Sequence, residues 1–179
     1  MYHSVGLITH LLIPYFAVSI LRPANRTSQI DQRKSYTIPY QTRPASLDIM
    51  AAKTTINVPH LGGISAGYRA TAIDSAKPTL VLINSMCTTS ALYDEQFNSK
   101  SLTDAVNLLA IEPLGHGATS SATEHFTYWD TATMALQVME ALNVQKAFVL
   151  GTSQGGWMVV RMALLAPEKV GLLSTFIVH

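Results

Sequence analysis

Ala147-Phe148-Val149-Leu150-Gly151-Thr152-Ser153-Gln154-Gly155-Gly156-Trp157-Met158-Val159-Val160 reads as a short apolar strand, then Gly-Thr-Ser-Gln-Gly, then a segment with helical apolar spacing. In that context the G-x-S-x-G pattern has a mechanical meaning: a sharp strand-to-helix turn lifts the serine hydroxyl clear of the sheet. A side chain at Gly151 or Gly155 would meet the adjacent strand or the helix as the turn folds back, and glycine avoids that contact. The helix that follows aims its free N–H groups at the place where negative charge would develop on a reacting oxygen. Ser153 is therefore the candidate nucleophile. An ordinary Gly/Ser turn between a strand and a helix is the plainer alternative, and five residues alone do not exclude it.

Further upstream the pattern is regular. Thr54–Val58 and Gly67–Ala72 read as the strands of an antiparallel hairpin, with His60-Leu61-Gly62-Gly63 in the turn. Thr79–Ile83, Asn107–Ile111 and Ala147–Leu150 are continuous apolar runs, which suits strands buried on both faces. Tyr128–Leu142 sets Ala132, Ala135, Leu136, Met139 and Leu142 at helical spacing. The helix after Ser153 carries Val159, Val160, Met162, Ala163 and Leu164 and stops near Pro167, and Val170–Val178 resumes as a strand. Strands alternating with helices predict an α/β fold, a mostly parallel sheet with helices on both faces.

Of the 179 residues, 48% are apolar and 13% charged, which excludes a disordered or nucleic-acid-dominated chain. Residues 1–49 hold five basic and two acidic side chains, residues 50–179 seven and nine, so the two parts differ in character. Val5–Leu21 is an apolar run that would act as a signal or a membrane anchor. No Lys or Arg precedes it, no clean cleavage site follows, and His10 and Pro14 interrupt it. Asn25-Arg26-Thr27 is a glycosylation sequon that matters only in the secretory pathway. Residues 22–49 are polar and without periodicity, a linker or extension. The expected organisation is an extension over 1–49 and a folded domain over 50–179, starting near Met50. That start implies a cytoplasmic protein; a working segment at 1–21 implies a secretory or membrane-associated one. Membrane contact is expected only through Val5–Leu21.

Cys87 is the one cysteine, so no intramolecular disulfide can form. The six histidines show no i, i+4 pair and no Cys/His cluster. No metal and no cofactor are expected.

Three motifs resemble the α/β-hydrolase superfamily, over roughly residues 54–179. One is Gly151-Thr152-Ser153-Gln154-Gly155. Another, Glu112-Pro113-Leu114-Gly115-His116-Gly117-Ala118-Thr119-Ser120, is similar to the family's segment after the fourth strand. Asn84-Ser85-Met86-Cys87-Thr88-Thr89 follows the third strand, where the family's oxyanion loop lies, in a form similar to the enol-lactone hydrolase branch. The resemblance implies Ser153 as nucleophile, with the backbone N–H groups of Gln154 and Met86 as oxyanion donors. It implies that the His116 ring holds loop backbone beside the site. Asn84 either caps its loop or faces substrate. Trp129 and Trp157 read as packing residues, Asp130 and Glu140 as solvated, and Cys87 as a poor nucleophile for want of a neighbour that would lower its pKa.

The family order is nucleophile, then acid, then histidine. Glu168 and His179, which follow Ser153, match neither later place, so no acid or base is assigned. The chain is expected to be the N-terminal part of the fold, about six of eight strands, with an exposed sheet edge. Two readings of function follow. One is a serine hydrolase of small esters, lactones or related acyl compounds, inactive as this chain; acyl transfer and cofactor-free peroxidation share its residues. The other is a non-catalytic fragment or pseudoenzyme that associates with another chain, a second copy included, through the open edge.

Overall fold

The computed structural model describes residues 54–176. The expectations on residues 1–49 and on His179 lie outside the described residues.

Seven strands form one sheet: β1 (Thr54–Val58), β2 (Ile64–Ala70), β3 (Thr79–Ile83), β4 (Asn107–Ile111), β5 (Ser120–Ser121), β6 (Ala147–Thr152) and β7 (Val170–Phe176). Their order is β1-β2-β4-β3-β6-β7, with the two-residue β5 paired to β2 alone. β1 runs antiparallel to β2, and β2 to β4; the remaining pairs of the path are parallel. Val81 at the centre of β3 lies between Leu109 of β4 and Val149 of β6. The mostly parallel sheet is as the sequence predicts.

Every residue of β3 and β4 is buried, because both faces are covered. Period-2 alternation divides them. Val81, Ile83, Leu109, Ile111 and Val149 join one core cluster with Ala132, Ala135, Val138 and Met139 of helix α3 (Tyr128–Ala141) and Met158, Val159 and Met162 of helix α4 (Gln154–Leu165). Leu80, Leu82, Leu108, Ala110 and Leu150 are equally buried but stand outside that cluster. They turn to the other face, toward the segment that supplies buried Tyr93, Leu102 and Val106.

That segment holds a 3-10 turn (Ser90–Tyr93) and two short helices, α1 (Asp94–Asn98) and α2 (Lys100–Ala105), none of which the apolar spacing announced. Side chains make up for the shortness. Thr89 and Ser99 cap from the front, and Arg69 of β2 pairs with Asp94 and lies 4.1 Å from the centre of the Phe97 ring.

The second strand starts at Ile64 and ends at Ala70, displaced from the expected Gly67–Ala72. Ile64 is 1% exposed and opposes Val58, so pairing extends back to the turn. The turn itself is a single 3-10 turn, His60–Gly62. α3 begins with a capping box: Thr127 accepts from the helix backbone while Asp130 accepts from Thr127 N–H. Just past its end, Asn143 takes φ 58°, the left-handed geometry common after a helix.

Candidate active site

Ser153 sits between β6 and α4 with φ 51° and ψ −115°. An L-residue reaches that combination only when its surroundings force it, at a cost of about 1–3 kcal/mol. Two glycines do the forcing. A Cβ on Gly151 would stand 2.2 Å from the Gly155 carbonyl oxygen; a Cβ on Gly155 would stand 2.2 Å from the Ile83 oxygen and 2.8 Å from the Asn84 oxygen. The first turn of α4 thus rests directly on the end of β3, and the backbone has no room to relax. Gly156 N–H closes the turn on Ser153 O at 2.9 Å. The Ser153 side chain makes no capping hydrogen bond, so its hydroxyl is not spent on the helix start.

The loop that continues from β3 is held by its own side chains. Asn84, 1% exposed, donates from Nδ2 to Thr88 O at 2.9 Å and Ser85 O at 3.2 Å, and Thr88 Oγ1 donates to Ser85 O at 2.7 Å. Those bonds are the loop-capping role. Asn84 Oδ1, by contrast, is buried without a partner. Met86 is 62% exposed at the loop tip. Among the described residues, no protein acceptor takes the N–H of Met86 or of Gln154.

Cys87 N–H donates to His116 Nε2 at 3.2 Å, and His116 Nδ1 lies 3.1 Å from Leu114 O. One tautomer satisfies both, with the proton on Nδ1. The ring therefore fastens this loop to the turn after β4, as expected, and neither nitrogen is free to serve as a base.

Glu112 is the site residue to which the sequence reading gave no role. It directly follows β4, is 1% exposed, and accepts from Ser90 N–H at 2.9 Å, Ser90 Oγ at 2.9 Å and Ala118 N–H at 2.6 Å. A buried carboxylate is sustained only by such donors. It joins the segment after β3 to the segment after β4, and a Cβ on Gly117 would come within 1.9 Å of it. The available signal was an acid directly after an apolar strand and three residues before a Gly-His-Gly turn.

Asp130 and the two tryptophans require correction. Asp130 is not simply solvated: its Oδ2 accepts from Thr127 N–H and Oγ1, and its Oδ1 lies 2.8 Å from His60 Nε2. Partial burial pushes its pKa up, but the hydrogen bonds from Thr127 and then His60 outweigh that, and the carboxyl ends below its ordinary value. This His–Asp pair ties the β1–β2 turn to the start of α3 and has no contact with Ser153. Trp129 and Trp157 are not core packing, being 45% and 54% exposed. Arg161 covers the Trp129 ring at 5.0 Å and donates to Trp157 O at 2.8 Å. Glu140 is exposed, as expected, with Lys169 Nζ 3.8 Å away. Glu168 lies exposed in the turn before β7. Among the described residues, no histidine bonds to Ser153 and no cluster of His, Cys, Asp or Glu could hold a metal. None of the described helices is long and apolar enough to cross a membrane.

Residues 78–173 match the alpha/beta hydrolase fold family. No curated protein sequence matches the chain. Among solved structures, it is similar to a hydrolase from Pseudomonas aeruginosa, with 32% identity over 66% of this chain and 44% of that one, TM-score 0.58. It is similar also to a carboxylesterase of the thaumarchaeon Nitrososphaera gargenis, 26% identical over 65% of this chain and 42% of that one, TM-score 0.59. The enol-lactonase of Burkholderia xenovorans, 22% identical over 64% and 44%, TM-score 0.56, shares the fold. The chain spans less than half the length of each of these three.

Proposed function

We propose that this chain, which belongs to the α/β-hydrolase fold family, carries the nucleophile and oxyanion side of a serine hydrolase acting on small esters, lactones or related acyl compounds. The observation that carries the reading is Ser153 at φ 51°, ψ −115°, held there by Gly151 and Gly155. Strain at a hydroxyl-bearing residue that caps nothing is what presentation of a nucleophile requires.

The chemistry is acyl transfer in two stages. Ser153 Oγ bonds to the acyl carbon while its proton passes to a base, and the N–H groups of Gln154 and Met86 receive the oxyanion. Losing one such donor raises the barrier by about 3 kcal/mol. Collapse breaks the bond to the leaving oxygen, which takes up the proton, and water then releases the acid by the same route. Among the described residues no base hydrogen-bonds to Ser153, so full speed needs a histidine supplied from elsewhere in the protein.

Fluorophosphonate labelling with site identification by mass spectrometry tests the reading. The expected result is slow labelling at Ser153, abolished by Ser153→Ala. A wild-type chain that stays unlabelled after prolonged exposure overturns it for this chain.

That outcome would favour a second reading, a non-catalytic module that self-associates. Its supporting observation is β7, the terminal strand of the sheet order, beside which Phe148 of β6 is only partly buried. Concentration-dependent sedimentation checks it, and a monomer at every concentration excludes it.

A further inference from the structure

We propose that Tyr93 is a positioning residue that sets the spacing between the oxyanion loop and the nucleophile; the proposal rests on the serine-hydrolase reading of Ser153. Tyr93 is 1% exposed and belongs to the 3-10 turn that follows the loop. Its hydroxyl lies 2.7 Å from Ile83 O and 3.4 Å from Thr152 Oγ1. A phenol has one proton, and the short contact takes it: Tyr93 donates to Ile83 O, and Thr152 donates to Tyr93 Oη.

Each partner adjoins one half of the candidate site. Ile83 is the last residue of β3, from which the loop bearing Met86 departs, and its carbonyl is the atom against which Gly155 packs. Thr152 immediately precedes Ser153. One buried oxygen atom therefore links the root of the oxyanion loop to the root of the elbow. Phenylalanine would fill the same space and leave Ile83 O and the Thr152 hydroxyl without this partner.

The other end of the link is anchored independently. Ser90, at the start of the same turn, is bound through N–H and Oγ to the buried Glu112 carboxylate. Tyr93 thus transmits the position of a fixed frame rather than following a mobile loop. Burial pushes its phenol pKa up, opposed by the Thr152 hydrogen bond, so the proton it donates stays in place through the neutral range.

The test compares wild type with Tyr93→Phe in the full chain by amide hydrogen exchange and by fluorophosphonate labelling as a function of probe concentration. Exchange is expected to quicken about tenfold at residues 84–88 and 152–156 and to stay unchanged over 54–70. The limiting labelling rate is expected to fall about tenfold with the half-saturating probe concentration unchanged, since alignment and not binding is lost. Unchanged exchange in both segments, or a uniform rise that includes 54–70, overturns the proposal. Should wild type not label at all, the nucleophile reading fails, while the exchange pattern still decides whether Tyr93 links the two segments. If Tyr93→Phe does not fold, Thr152→Val removes half the link and is expected to quicken exchange at 152–156 alone; protection there equal to wild type overturns the proposal.

Discussion

Leu61 and Ser153 share a φ of 51°, yet they belong to two different kinds of turn. Leu61, in the turn between β1 and β2, has ψ 31° and so occupies the ordinary left-handed well. Around it there is room: a Cβ on Gly62 or on Gly63 would meet nothing within 4 Å. Ser153 has ψ −115°, outside any well an L-residue favours, and at its glycines an added Cβ would lie 2.2 Å from backbone oxygen. The hairpin uses a positive φ to reverse the chain. At the elbow the conformation is dictated from outside by β3 and α4, and what it delivers is a half-buried serine whose hydroxyl caps nothing. Positive φ alone is thus no mark of a site; what supports the proposed one is a positive φ locked by packing on a residue with chemistry to offer.

The same substitution in both turns would sharpen that contrast most. Gly155→Ala is expected to destabilise by about 3 kcal/mol or to prevent folding, because backbone must move. Gly62→Ala, at φ 78° in open space, is expected to lose only about 1 kcal/mol. Equal losses in denaturant titrations would break the comparison.

The next effect belongs to the hairpin side, where stability comes from the contact between His60 and Asp130. Asp130→Ala removes the reciprocal half of the α3 capping box and that contact together, for roughly 1.5 kcal/mol at neutral pH. The sign of the pH dependence follows from the lowered pKa of Asp130. The folded state binds this proton more weakly than the unfolded chain. The stabilisation is therefore complete above the ordinary carboxylate range and is lost as pH falls through the folded value. Unfolding midpoints measured from neutral pH downward should converge for wild type and variant; a constant gap refutes the assignment.

Ser153→Gly should give a small change, and the one of opposite sign. Release of strain outweighs the added freedom of the unfolded chain, for a gain of about 1 kcal/mol, whereas Ser153→Ala keeps the strain and should leave stability near wild type. Both should abolish labelling. A destabilised Ser153→Gly chain would mean that the elbow is not strained.

These contrasts also explain what the sequence discloses. Thr79–Ile83, Asn107–Ile111 and Ala147–Leu150 are legible as strands because burial on both faces leaves an unbroken apolar run. The elbow is legible because steric closure demands glycine at two fixed offsets from a serine. α1 and α2 are not, since helices of five and six residues show too few turns for a period and are held by caps and by Arg69 instead. Glu112 and Tyr93 escape for another reason. Their importance lies in partners 6 to 59 positions away, which no local pattern encodes. Trp129 and Trp157 mislead because large aromatic residues at helix starts read as packing residues, whereas here both are exposed, Trp129 with Arg161 over its ring.

The strand order also governs how the chain is made. β3 lies between β4 and β6, and Val149, which completes the pairing of Val81, is translated about 70 residues later. At ribosomal rates of about 5–20 residues per second, one edge of β3 waits roughly 3–14 s for its partner. For that interval Thr79–Ile83, five residues fully buried in the finished fold, offer unpaired backbone and apolar side chains to any passing strand. Among the interior strands of the described sheet this is the longest such wait, and during synthesis β3 is the segment most open to mispairing.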